Sequence, residues 1–317
     1  MASRKKPTSP EDILVGGQAV IEGVMMRTPY AYAVAVRRAD GSMAVQKAPV
    51  RRLADSWKPL SWPVVRGFAV LVQSLALGIR CLNFSFNAAL EDSEPAASSA
   101  RKRKGSDSLL VLASMGSALA VAVVLFILAP LWITTWLKGY FAAVHNWFVF
   151  NLVDGLIRVT FFLAYILLIT RLKDIRRVFQ YHGAEHKVVY TWEAGEELTV
   201  ENARAKSTLH PRCGTSFLLF VMVVSIVVFS VFKLQGFWPI FFSRVLLIPI
   251  IAGLSYELIR LSAPRCRRRF FRLVVAPGLA LQRLTTQEPS EDQLEVAIHA
   301  LRQALEIDAA RASQAAA

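Results

Sequence analysis

Four long apolar runs limit what this chain can become. Residues 109–137, 147–169, 216–232 and 237–261 carry few charges, and each approaches or exceeds the ~20 residues that a helix needs to cross ~30 Å of hydrocarbon. Backbone in lipid must satisfy its own hydrogen bonds, and runs of this length do so as helices. Composition agrees: 54% of the 317 residues are hydrophobic, 19% are charged, and mean hydropathy is +0.41. An ordinary soluble domain is excluded. The expected class is a mainly α, multi-pass membrane protein with four transmembrane helices and the lipid bilayer as its first partner.

The basic residues set the expected topology. Lys plus Arg number 37 against 23 Asp plus Glu, a formal charge of +14. They lie between the apolar runs rather than in one tract, so no nucleic-acid partner is expected. The loop over 171–215 and both tails are basic, whereas Lys138 and Lys233 stand nearly alone in the other loops. Positive loops resist translocation, which predicts both termini and the long loop on the cytoplasmic side of an inner membrane. The three cysteines, Cys81, Cys213 and Cys266, are too scattered for a disulfide framework. The polar first residues do not read as a cleavable signal peptide.

Residues 63–90 read differently from the four spans. Their uninterrupted apolar stretch between Arg66 and Arg80 is only 13 residues long, which predicts an interfacial or re-entrant helix. Arg66, Gln73, Arg80 and Asn87 recur every seven residues and lay a narrow polar stripe down it. The chain thus divides into an N-terminal cytoplasmic region (1–62), this helix (63–90), a Ser- and charge-rich flexible linker (91–108), two spans (109–170), a helical loop (171–215), two further spans (216–261) and a C-terminal cytoplasmic region (262–317). Within the spans, Asp154, Arg158, Arg244 and Glu257 are functional candidates because buried charge in lipid is costly. Asp154 and Arg158 also have i, i+4 spacing, and a structural ion pair is the competing reading.

Three features mark the soluble parts. Residues 30–38 and 42–50 flank Asp40-Gly41, which predicts a β-hairpin with a type I′ turn, whereas the preceding Gly16–Arg27 is too glycine-interrupted for a helix. Ser290 to Gln293 forms a capping box before an amphipathic stripe of Leu294, Ala297, Ile298, Leu301 and Leu305. That stripe docks either on the protein's own cytoplasmic domain or on a second subunit or protein partner. The basic run 265–272, with Phe270 and Phe271, suits a membrane surface.

The chemistry concentrates in the long loop. His182, His186, His210 and Cys213 follow the pattern H-x3-H, a 23-residue gap, then H-x2-C. Two histidines at i, i+4 share a helix face, and a His/Cys knuckle supplies two more donors, a set whose softness favours Zn²⁺ as cofactor. Glu185 completes H-x-x-E-H, the order in inverted zinc peptidases, where the carboxylate activates water. Four donors would close a tetrahedral structural site, whereas three would leave a position open for hydrolysis.

Gly16–Arg27 (GGQAVIEGVMMR), Tyr181–Lys187 (YHGAEHK), Gly195–Thr199 (GEELT), Leu209–Ser216 (LHPRCGTS) and Leu281–Glu288 (LQRLTTQE) together resemble the YqhQ family of bacterial membrane proteins. The resemblance runs from about Ile13 to Leu301. The family is one of unknown function, thought to be a metal-dependent enzyme. The resemblance implies that the glycine-rich segment, with Gln18, Glu22 and Arg27, belongs to the site beside the histidine loop. The leading functional reading is a zinc-dependent hydrolase at the membrane surface, with His182, His186 and His210 as ligands and Glu185 as base. Against it stands a non-enzymatic scaffold or assembly factor, in which Cys213 joins the histidines around structural zinc. The H-x3-H and H-x2-C donor count favours the closed site. A transporter is the third class.

Overall fold

The computed structural model describes residues 15–50, 57–93, 106–262 and 269–314. Most of the expected linker and part of the basic run lie outside these residues. Four strands, β1 (Gly16–Val20), β2 (Gly23–Arg27), β3 (Ala31–Arg37) and β4 (Met43–Pro49), form an antiparallel sheet in chain order. The expected hairpin is β3–β4, but its turn is not type I′. Of its residues only Gly41 has positive φ, at +85°, whereas type I′ needs it at both central positions. Gly41 N–H instead donates to Arg38 O (3.0 Å) and Ser42 N–H to the Asp40 carboxylate (2.8 Å), which holds a longer loop. The glycine-interrupted segment is itself a hairpin, β1–β2, turned through Ile21 and Glu22.

Each face of the sheet buries a separate cluster. On one side Val15, Val24, Met26 and Ala35 meet Tyr181, Ala184 and Val188 of α5 (Lys173–Glu193) and Leu294, Ala297 and Leu301 of α11 (Glu291–Gln314). The C-terminal stripe therefore docks on its own domain. Its capping box is formed, with Ser290 N–H on Gln293 Oε1 (2.9 Å) and Gln293 N–H on Ser290 Oγ (3.4 Å). On the other side Val20, Met25, Val34 and Val36 are covered by Leu77, Cys81 and Ala88 of α1 (Val65–Ser93).

The apolar runs are helical. α2 (Ser106–Val123) continues through a π-helical turn at Val124–Leu128 into α3 (Ala129–Lys138), followed by α4 (Trp147–Ile169). After α5 and the short α6 (Val200–Arg204) come α7 (Gly214–Val231), α8 (Phe237–Leu246) and α9 (Ile248–Ser262), then the amphipathic α10 (Arg269–Thr285). α8 and α9 meet at 47°, so the expected fourth span is bent at Leu247, just ahead of Pro249.

By length and composition Val65–Leu90, Gly116–Lys138, Trp147–Ile169 and Gly214–Val231 could all cross a membrane, and the bent α8–α9 pair could make a fifth crossing. Packing selects among them. The sheet, α5 and α11 share one apolar core, and open sheet edges are not tolerated in hydrocarbon, so all three lie on one side of the bilayer. Between the sheet and α5 the chain must cross an even number of times. α1, α2–α3 and α4 are the candidates for these crossings, the last two with the higher hydropathy. Between α5 and α11, α7 crosses once, so α8–α9 must cross back.

By length and composition α1 qualifies as a span, as well as for the interfacial or re-entrant placement that its short apolar stretch predicts. Its Gly67 lies against α9, where a Cβ would come within 2.9 Å of Gly253 O. Its second half carries the sheet, and Val72, Leu75 and Phe86 are left exposed on the remaining face.

Candidate metal centre

The centre forms where α5, the 207–213 loop and the start of α7 meet. His182 and His186 stand on one face of α5, one turn apart, with ring centroids 4.5 Å from each other. Cys213 caps the N-terminus of α7, where its Sγ accepts from Thr215 N–H at 3.4 Å. One donor atom from each of these three residues lies within 4.8 Å of the other two. A tetrahedral ion with bonds of ~2.0–2.3 Å would need donors about 3.4 Å apart, so the trio is of the right size.

The ring orientations are fixed from behind. His182 Nδ1 bonds to Thr285 O at 2.8 Å, and His186 Nδ1 bonds to Thr208 O. A carbonyl only accepts, so both Nδ1 atoms carry the proton and both Nε2 atoms turn lone pairs inward. His182 Nε2 meets Cys213 Sγ at 3.2 Å. His186 Nε2 is buried without a hydrogen-bond partner, although its residue is only 2% exposed. Two imidazole lone pairs and a sulfur thus converge, a grouping in which a cation answers all three.

His210 stands beside this group rather than in it. Its ring lies 5.7 Å from that of His186, yet its Nδ1 accepts from Arg212 N–H (3.3 Å) and its Nε2 faces Glu193 Oε2 (3.4 Å). Burial pushes its imidazole below the ordinary histidine pKa, against the pull of Glu185. A neutral ring whose Nδ1 accepts must carry its proton on Nε2, and no lone pair is left for an ion. The four-donor arrangement expected from spacing is therefore three donors with His210 as a neighbour.

Glu185 does face the cluster. Its Oε2 lies 3.6 Å from His186 Nε2 and 4.0 Å from His182 Nε2, and its side chain is 9% exposed. Beyond it opens a cavity of about 360 Å³, lined by Val15 to Ala19 on one side and by the α5 histidine face and residues 210–215 on the other.

The glycine-rich segment joins the site only in part. The Gln18 backbone belongs to the cavity-lining strand, but its carboxamide lies against Gly78 of α1, where a Cβ would approach Oε1 to 2.5 Å. Glu22, at φ 53°, is held by Arg177 through Nη2 at 2.6 Å and is 3.4 Å from Tyr181 Oη, outside the cavity lining. Arg27 reaches Gln73 (3.2 Å) and Ser74 (3.3 Å) of α1 instead.

The intramembrane charges sort into two groups. Asp154 Oδ2 binds Arg158 of its own helix at 2.6 Å and Arg244 of α8 at 3.2 Å. Arg158 also bonds Ser225 Oγ and the Phe126 carbonyl at the π-helical turn, while Arg244 bonds Asn151 and lies over the Phe229 ring. This is a clasp holding α4, α7 and α8 together. Glu257 is separate and pairs with Arg66 of α1 at 2.5 Å.

Several supporting residues carried no signal of their own role in the sequence. Gln282 holds His210 through both its backbone N–H (2.7 Å) and C=O (2.8 Å), and Thr285 orients His182. Both lie in the LQRLTTQE segment, whose part in the site only the packing of α10 reveals. Gly183 lets the chain after α10 cross α5, because a Cβ there would lie 2.1 Å from Gln287 O. Lys187, also buried, binds Arg204 O (2.8 Å) and Glu288 (2.6 Å).

A family model described as "Protein of unknown function (DUF1385)" matches residues 62–307. The chain is 36% identical over 301 residues to "Uncharacterized protein YqhQ" of Bacillus subtilis (strain 168), with 93% of each chain covered. No solved structure matches.

Proposed function

Since the chain belongs to the DUF1385 family, whose description gives no reaction, we propose from its own residues that it is a zinc-dependent hydrolase built into the cytoplasmic face of the inner membrane. His182, His186 and Cys213 would hold the ion, leaving one position open toward the cavity. The observation that carries this reading is His186 Nε2, buried and unpartnered while its Nδ1 is fixed on Thr208 O. A bound Zn²⁺ supplies Lewis-acid activation of water. Glu185, against the cluster, accepts the proton as water adds and returns it to the leaving group. Gly17 brings β1 close to Glu185, since a Cβ there would lie 2.7 Å from Glu185 Cγ. The scaffold reading requires His210 to turn away from Glu193 and Arg212 to close the tetrahedron.

Metal analysis of four full-length variants tests the proposal. Wild type should carry about one zinc per chain, since one such group of donors lies among the described residues. His182→Ala, His186→Ala and Cys213→Ala should each lose it, and His210→Ala should retain it. Zinc-free wild type after refilling would end the reading; zinc lost from His210→Ala as well would turn it into the closed, structural site.

A further inference from the structure

We propose that the outer edge of β1 is a docking rail for an extended peptide segment, which adds to the sheet as a fifth strand and passes its backbone in front of Glu185 and the three donors. This rests on the zinc-hydrolase reading and names its substrate class.

The cavity itself points to an edge. Val15, Gly16, Gly17, Gln18 and Ala19 all line it, and side chains of a strand alternate between faces. Five consecutive residues can meet one cavity only along the backbone edge. β1 is the outermost strand on that side. Its ladder to β2 closes at the Val20–Gly23 pair on a two-residue turn, so Gly17 and Ala19 direct N–H and C=O away from β2. Among the described residues neither has a hydrogen bond partner beyond that ladder.

Free edges are ordinarily protected by lysine, proline, a bulge or an inward charge. The GGQAV sequence of β1 has none of these. The edge is open where the residues are smallest; Glu185 packs on Gly17 from the sheet face, and His182, His186 and Cys213 line the same cavity. A strand paired ~4.8 Å from β1 would lie in the plane of the sheet, beside the Gly17–Glu185 contact and within the cavity that the three donors line. Small residues on the rail let many side chains pass, so recognition there is mainly through the backbone.

The test uses full-length protein in detergent with Co²⁺ in place of zinc, so that its visible absorption reports ligands entering the open position. Two probes are titrated: acetohydroxamate, and a pool of tetrapeptidyl hydroxamates randomised at every residue. The peptide pool should bind at least ten-fold more tightly. Ala19→Pro removes an outward N–H at a position where an edge strand accepts proline, and should reduce the pool to the acetohydroxamate level while leaving acetohydroxamate and cobalt content unchanged. The same pool with N-methylated amides should lose its advantage on wild type, a result independent of how the variant folds.

If acetohydroxamate leaves the spectrum unmoved, the open position fails and the proposed function with it. If acetohydroxamate binds and the peptide chain adds nothing, the rail alone is overturned. It is overturned too if Ala19→Pro dissolves a dimer in sedimentation without weakening the peptide pool, because a second copy then occupies the edge.

Discussion

The protein buries two polar clusters, and their donor–acceptor balance separates them. In the Asp154–Arg158–Arg244 cluster, guanidinium groups meet a carboxylate, a carbonyl, an amide oxygen and a hydroxyl. Donor faces acceptor, and its two unpartnered atoms, Asp154 Oδ1 and Arg244 Nε, are one acceptor and one donor. In the His182–His186–Cys213 cluster both Nδ1 protons are directed to backbone carbonyls, so two Nε2 lone pairs turn inward, and the Cys213 thiol, 3.2 Å from His182 Nε2, serves only one of them. Burial and clustering are common to both, so neither by itself marks a ligand site. The mismatch is what marks it.

The largest expected effect tests whether the clusters lie where the crossings put them. Single cysteines at positions 41 and 195 should label alike in intact cells with an impermeant maleimide, and oppositely to cysteines at 138 and 235. Labelling of 41 together with 138 would break the even count and make α1 a span. Next is Asp154→Ala, which leaves two buried guanidiniums without their carboxylate and should cost about 3–5 kcal/mol in detergent unfolding, with zinc content unchanged in the folded fraction. A cost below about 1 kcal/mol would mean that the clasp does not hold α4, α7 and α8 together.

Zinc should separate the clusters more finely. At a hundred-fold excess over its dissociation constant it should stabilise wild type by about 2.7 kcal/mol and His186→Ala hardly at all. Equal stabilisation of both would place the ion elsewhere. The smallest effect is that of Glu185→Gln, which should keep its zinc and change stability by no more than about 1 kcal/mol. A variant that loses zinc would make Glu185 a ligand.

The sequence was legible where physical demand is repeated along it, and less so where it is met by distant partners. The spans were readable because crossing a bilayer requires a fixed length of apolar helix, and α11 because its cap and stripe are local. β1–β2 was not readable, since Glu22 itself takes the positive φ that Gly or Asn normally signals in a turn. Spacing identified His182, His186, Glu185 and Cys213 as neighbours, but it could not give ring directions. His210 is turned toward Glu193 while Gln282, 72 positions away, holds its backbone. The π-helical turn escaped for the same reason, since its Phe126 carbonyl is taken up by Arg158 of another helix.

One architectural fact also constrains biogenesis. The shared core draws on the sheet, on α5 and on α11, which are separated in the chain by candidate membrane spans. The sheet is made first and its last large partner arrives some 240 residues later, a delay of roughly 12–50 s at ordinary elongation rates. Until then an apolar sheet face stands incompletely covered. The domain can close only after every membrane helix has been threaded in the right sense, so its completion is a record that insertion succeeded. A chain that mis-threads one helix strands α11 across the bilayer from its seat and presents quality control with an open sheet.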